Sequence, residues 1–274
     1  MTMLPITVPD RFRIIAHRGA SGYAPENTLA AFQLALDMAV REIELDTQLS
    51  SDGHVMLCHD KTLARYGHGD RGVRDMTVAQ LDELDMGSWF SPFLCGGERM
   101  ATLDHVFARY RRKFTYHVEL KSDQPALPRA VADLIAKHDL ADCCIVTAFA
   151  YDALAAMKSV APELRRAWLV NTIDAEALSG AERLGAFHLC PRASDLTAAG
   201  VRDAKDVVPE VRAFGLSDIR AEALEGVQRV LDTGCDGVTI NQPDWLIHAG
   251  DAARRRERGR RSADGRRHRQ GDSP

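Results

Sequence analysis

His17 and Arg18 stand at the end of an apolar run in "IAHRGASGYAPENTLAAF", and His59 closes a second such run in "VMLCHD". Glu44 and Asp46 alternate with apolar residues in "EIELDTQL", as do His117, Glu119 and Lys121 in "HVELK". A strand has a side-chain period of two, so Glu42, Glu44 and Asp46 share one face, and His117, Glu119 and Lys121 share another. Acidic faces turned into a core are costly unless something neutralises them. A divalent cation held by Glu44, Asp46 and Glu119 is one solution, and an all-oxygen ligand set points to a hard ion, Mg²⁺ or Ca²⁺, rather than zinc. A structural ion network with Arg18, Arg41 and Lys121 is the other. Two histidines on the same rim favour chemistry over a plain network, because imidazoles titrate near neutrality and serve as an acid and a base. They remain open as further metal ligands. Arg18 offers a planar fork and Lys121 a point charge, as a bound phosphoryl group requires.

These residues need a scaffold that brings strand ends together. Short β-branched or apolar runs near 13–17, 41–46, 115–120, 143–148, 166–170, 186–190, 211–215 and 236–240 alternate with segments of helical period. Thr28 is placed to cap a helix with Leu29, Phe32, Leu36 and Ala39 on one face, and 103–112, Leu127–His138 and Glu222–Leu231 show similar stripes. Eight βα units over residues 1–250 predict an α/β fold of the (β/α)8 type, in which reactive groups collect at the C-terminal ends of the strands. An open doubly wound sheet is the alternative, but "HRGASG" lacks its glycine fingerprint. The alternation breaks twice. "TQLSSDGHVMLCHD" reads as a hairpin with a Ser-Asp-Gly turn. Residues 61–100, with "GSWFSPF", read as an insertion covering the substrate, in which Trp89 and Phe90 either stack on the substrate or close over the barrel mouth.

With 274 residues and 45% hydrophobic content the chain can bury a large core. Six scattered cysteines, none in a CxxC pair, suggest neither a disulfide framework nor a structural zinc. No run is long and apolar enough to span a membrane and no signal-peptide pattern opens the chain, so a cytoplasmic protein is expected. The net charge of −4 is uneven: nine arginines and three acids after residue 251 make that stretch +6 and leave −10 for the rest. Residues 251–274 are therefore expected to be a disordered, Arg-rich tail, with nucleic-acid binding not the main role.

Taken together, "AHRGASGYAPENTLAAF", "EIELDTQLSSDGHVMLCHD", "HVELK" and "GCDGVTINQPDWL" resemble the glycerophosphodiester phosphodiesterase family, in its order and with its insertion, over residues 13 to about 248. The resemblance implies a TIM-type barrel and a divalent cation on Glu44, Asp46 and Glu119. It further implies acid-base catalysis by His17 and His59, and phosphate contacts from Arg18 and Lys121. The implied reaction splits a small glycerophosphodiester, such as glycerophosphocholine or glycerophosphoethanolamine, into glycerol 3-phosphate and an alcohol. A lysophospholipase-D-like activity and a non-catalytic barrel binding a phosphorylated ligand are the alternatives. "ARYGHG" after the His-Asp pair, "MATL" at 100–103 and "FGLS" at 214–217 depart from the family pattern, which leaves the alcohol open. Oligomeric state is not legible.

Overall fold

The computed structural model describes residues 5–251. Eleven strands order the described chain: β1 (Ile6–Val8), β2 (Arg13–Ala16), β3 (Glu42–Leu49), β4 (Val55–Leu57), β5 (Thr115–Leu120), β6 (Cys144–Ala148), β7 (Arg165–Val170), β8 (His188–Pro191), β9 (Glu210–Ala213), β10 (Gly237–Ile240) and β11 (Leu246–His248). The eight strands β2, β3 and β5 to β10 pair in parallel in chain order. The pairing of β10 back to β2, from Gly237↔Arg13 to Ile240↔Ala16, closes a TIM-type barrel. The predicted positions hold to within a few residues at each strand end. β3 runs on to Leu49 because its far end pairs antiparallel with β4, Thr47↔Leu57 to Leu49↔Val55. That is the expected hairpin, turned at Gly53 with φ +84°.

Helices α1 (Leu29–Asp37), α3 (Leu103–Tyr110), α4 (Leu127–Lys137), α5 (Tyr151–Val160), α6 (Ala175–Leu184), α7 (Ala198–Lys205) and α8 (Arg220–Asp232) occupy the crossovers, and α2 (Val78–Asp82) lies in the insertion. Thr28, Thr102, Asp174 and Thr197 cap their helices by accepting the backbone N–H three residues on. Each such cap is worth about 1 kcal/mol. Ala39 was expected on the face of α1, but the helix stops at Asp37 and Ala39 turns the chain with φ +63°.

Strand residues facing outward, Ile43, Leu45 and Val118 among them, are fully buried between barrel and helices. There Phe107 of α3 meets Tyr116 of β5 edge-on at 4.9 Å. Segment 61–100 is not an open loop: Leu63, Tyr66, Val73, Met76, Leu81, Met86 and Met100 are buried together with Met56 and Cys58, so it carries a core of its own.

The barrel's interior is polar at its lower end. Arg13 donates from Nε and Nη2 to Glu210, both at 2.6 Å, and from Nη1 to Glu42 at 2.7 Å. His117 pairs with Glu42 at 2.9 Å and His188 with Glu210 at 2.7 Å. Next to these groups lies a small apolar cluster of Ile145, Ala167, Leu169 and Cys190, with Ile145 in register with His117 and Ala167 with His188. Arg13 of β2 is the cation of this network, and Arg41, offered with Arg18 and Lys121 as a partner of the rim acids in the alternative ion network, is exposed just before β3.

Residues 5–12 and 244–251 form a separate compact unit around the parallel pair β1 and β11, with His248 Nε2 2.8 Å from the Phe12 carbonyl oxygen. The expected Arg-rich tail, apart from Asp251, lies outside the described residues.

Candidate active site

The C-terminal rim of the barrel gathers all seven residues singled out by type and spacing. His17 and Arg18 follow β2, Glu44 and Asp46 sit on β3, His59 follows β4, and Glu119 and Lys121 end β5. The register sets Asp46 beside Glu119 on neighbouring strands, with Glu44 one inward step before Asp46 on β3.

Glu44, Asp46 and Glu119 are 4%, 1% and 7% exposed, and each offers an oxygen within 4.8 Å of the others. Their neighbours do not use them up. Lys121 donates to Glu119 at 3.0 Å and lies 3.8 Å from Asp46. Arg18 donates its backbone N–H to Glu44 at 3.1 Å, and its Nε is 3.1 Å from Asp46 without hydrogen-bond alignment. Asn27 donates to Asp46 at 2.9 Å. Glu44 Oε1 and Asp46 Oδ1 nevertheless remain buried with no hydrogen-bond partner. Burial first, then the facing carboxylates, raise Glu44 well above its ordinary value, and burial with Asp46 pushes Glu119 up to about 7. Three acids against two cations, with two orphaned oxygens, fit a hard divalent cation and leave a plain ion network short of positive charge.

The loop from His17 to Thr28 is built for close approach. Gly19 has φ +80° and a side chain there would meet Ala31 at 2.7 Å, while one on Gly22 would meet Gln242 at 2.5 Å. Arg18 and Asn27 also adopt left-handed φ, 54° and 58°. Such backbone, uncommon for residues other than glycine, collects at functional sites. Arg18 Nη1 donates to Glu26 at 2.8 Å, which anchors one arm of the guanidinium while Nε faces Asp46.

The two histidines are held differently. His17 Nδ1 is 2.6 Å from Asn241 Oδ1, and Asn241 Nδ2 donates to Asp218 at 2.6 Å. A carboxylate can only accept, so Asp218 fixes the amide's orientation, and His17 must carry its proton on Nδ1. Its Nε2 lone pair then faces the acids, 3.8 Å from Glu44. Burial, reinforced by Arg18, lowers His17 to about 4. His59 Nδ1 lies 2.6 Å from Asp60 Oδ1, a charged partner. Burial lowers His59 too, while Asp46 and Asp60 oppose the shift.

Trp89 and Phe90, expected to stack on the substrate or close over the barrel mouth, sit in the insertion. Trp89 packs on the insertion's core, edge-on to Tyr66 at 5.5 Å and under the Arg65 guanidinium at 5.0 Å. Phe90 touches Trp89 at 5.8 Å and is partly exposed. Reading the sequence missed Asn241, Asp218, Asp60 and Arg65. The rule that reactive groups follow barrel strands applies to Asn241 after β10 as much as to His17 after β2, and it was the available signal.

The family model for glycerophosphoryl diester phosphodiesterases matches residues 17–245. The chain belongs to that family. A glycerophosphodiester phosphodiesterase of Caldanaerobacter subterraneus subsp. tengcongensis is 32% identical over 239 residues, 86% of this chain and 96% of that one. Among solved structures, an Oleispira antarctica phosphodiesterase in complex with the product sn-glycerol-3-phosphate has TM-score 0.76 and 30% identity, covering 85% of this chain and 94% of that one. The glycerophosphodiester phosphodiesterase of Agrobacterium tumefaciens has TM-score 0.74 and 28% identity, covering 85% and 98%. Family and fold together make this barrel a phosphodiesterase whose acidic cluster suits the divalent cation on which the family depends. Among the described residues no helix is long and apolar enough to cross a membrane.

Proposed function

We propose that the enzyme hydrolyses small glycerophosphodiesters, glycerophosphocholine and glycerophosphoethanolamine being the first to test, to glycerol 3-phosphate and an alcohol. The observation that carries this reading is the pair of differently held histidines flanking three carboxylates with unused oxygens, all on one rim. Glu44, Asp46 and Glu119 would hold the cation, Mg²⁺ or Ca²⁺. When bound, it supplies Lewis-acid polarisation of a phosphoryl oxygen and cancels the carboxylates' surplus charge.

The chain's own residues do the rest. Arg18 and Lys121 bind the phosphodiester oxygens and stabilise charge that builds up as the bond to the attacking oxygen forms. His17, neutral and with its Nε2 lone pair free, accepts the proton of the attacking hydroxyl, from water or from the substrate's neighbouring alcohol. His59, with Asp60 supporting its protonated form, donates a proton to the departing alcohol oxygen. Asn241 keeps His17 in the tautomer that leaves Nε2 free. The insertion is the cap over this site, with the exposed Phe90 available to a substrate's apolar part, and the enzyme works in the cytoplasm.

Release of glycerol 3-phosphate from both diesters, after chelation and then with Mg²⁺ or Ca²⁺ restored, tests the proposal. Turnover that returns with metal and disappears in Glu44→Ala is the expected result. No product from either diester with either ion would overturn it.

A further inference from the structure

Arg65 lies six residues beyond His59, in the "ARYGHG" stretch whose departure from the family pattern suggested an alcohol pocket. Its contacts run instead to the back of the catalytic rim. Nε donates to Asp60 Oδ2 at 2.7 Å and Nη2 to Asp60 Oδ1 at 3.1 Å. The other side of the same guanidinium donates to Glu26, from Nη2 at 2.6 Å and from Nη1 at 3.2 Å. Asp60 is the carboxylate that holds His59, and Glu26 is the one that holds Arg18. One planar cation thus joins the supports of a proton donor and a phosphate ligand that come from different strands.

The guanidinium is itself clamped. Its carbon sits 4.6 Å from the Tyr66 ring and 5.0 Å from the Trp89 ring. Tyr66 Oη accepts from Arg65 Nη2 at 2.8 Å and donates to Glu26 at 2.8 Å. Trp89 is fixed by donating its indole N–H to the Met86 carbonyl at 2.8 Å. Stacking on aromatic faces while forking to two carboxylates uses properties that lysine lacks. The insertion's own core ends on this clamp, which gives Trp89 a place in the site without substrate contact.

We propose that Arg65 is a positioning residue that sets His59, through Asp60, and Arg18, through Glu26, in register with each other, with Tyr66 and Trp89 holding it flat. This rests on the roles assigned above to His59 and Arg18. Loss of the bridge frees Asp60 to swing away from His59 and lets Glu26 draw Arg18 back from the phosphate. Chemistry and binding should then suffer together.

The test measures kcat and KM on the diester that the wild-type enzyme turns over best, for Arg65→Gln, Arg65→Lys, Asp60→Asn and the double variant Arg65→Gln/Asp60→Asn, each with its melting temperature. Arg65→Gln should lose about 10–100-fold in kcat/KM, the usual scale for a supporting partner, with kcat lowered and KM raised. Arg65→Lys, which restores the charge but not the fork, should recover only part of it. Because Arg65 reaches His59 only through Asp60 but reaches Arg18 separately through Glu26, the double variant should lose less in kcat than the product of the two single losses. An Arg65→Gln enzyme as active as wild type, or losses in kcat that multiply, would overturn the proposal while leaving the assigned reaction intact. Should Arg65→Gln melt too low to assay, Arg65→Lys takes its place in the same cycle. A wild-type enzyme silent on all diesters would remove the reaction and this inference together.

Discussion

The barrel encloses two acidic clusters that share strand β3, one at its mouth and one at its floor, and they have opposite electrostatics. At the floor every carboxylate oxygen of Glu42 and Glu210 accepts a bond from Arg13, His117 or His188. Burial works against the charges, yet the bonds from His117 and Arg13 carry Glu42 down to about 2, and those from His188 and Arg13 do the same for Glu210. At the mouth two oxygens have no partner, and Glu44 and Glu119 are pushed up. Along β3 the floor's Glu42 and the mouth's Glu44 and Asp46 belong to one alternation of acid with apolar residue. What separates them is whether the fold supplies a hydrogen-bond donor to every carboxylate oxygen. The cluster left short is the one with a use for a ligand.

Exchanging the damage should separate the two most sharply. Glu44→Gln is expected to lower turnover by about 10²–10³-fold, the scale for removing one preorganised electrostatic contact, while the metal-free protein melts higher because a repelling charge is gone. Arg13→Met should do the reverse. It leaves Glu42 and Glu210 without their cation and costs about 3 kcal/mol, at the low end for a broken buried pair because Arg13 keeps some exposure, while molecules that stay folded keep near-normal kcat. Activity and denaturant melts on both variants check this. A stable Arg13→Met or a destabilised Glu44→Gln would dissolve the distinction.

Sequence showed one of these clusters more clearly than the other. Period-two alternation put Glu44, Asp46 and Glu119 on inward faces, and apolar runs ending in His17 and His59 marked the rim. Nothing in the alternation distinguished Glu42 from Glu44, since both are inward acids on one strand. Depth along the barrel decides their fates, and depth follows from strand stagger, which local pattern does not record. Arg13, the cation that the floor uses, carried no signal for the same reason. Arg65 and Asn241 were hidden for a related reason: they act through partners 39 and 224 residues away, Glu26 and His17. Glycine and threonine signals were legible because their causes are local, as at Gly19 and at the Thr28 cap.

Acidity should pull the clusters in opposite directions. At the floor, burial holds His117 at about 3 and His188 at about 4, while Glu42 and Glu210 stay at about 2. The unfolded chain takes up protons that these folded groups refuse, so their contribution to stability is lost as pH falls below about 6.5, continuously down to about 2. Folded Glu119 keeps its proton up to about 7, whereas the unfolded side chain releases it near 4.5, so the mouth costs the metal-free protein stability as pH rises across that window. A cation that displaces the proton relieves this cost. The melting shift on adding Mg²⁺ or Ca²⁺ should therefore grow from pH 5 to pH 8, reaching about 2.7 kcal/mol at a hundredfold excess over Kd. Calorimetry with and without chelator measures it, and a shift independent of pH would mean that the ion does not sit on the raised carboxylates.

The mouth also borrows its order from a loop, where the floor is held by strands alone, and this gives the smallest of the expected effects. Thr28 accepts the Ala31 N–H at 3.3 Å and donates to the Pro25 carbonyl at 2.6 Å, which fixes the turn that presents Glu26 and Asn27. Asn27 in turn grips Asp46 twice, donating to Oδ2 at 2.9 Å and accepting its backbone N–H at 3.1 Å. Thr28→Ala removes the cap and should cost about 1 kcal/mol. Metal affinity should weaken slightly, because Asp46 is then less well oriented, while the floor's acid-side loss of stability is unchanged. Titrating the melting shift with metal at pH 8 and repeating the melt at pH 4 in Thr28→Ala resolves both. If the acid limb moved as well, loop and floor would be coupled through the strands, and the two clusters would have to be treated as one electrostatic unit.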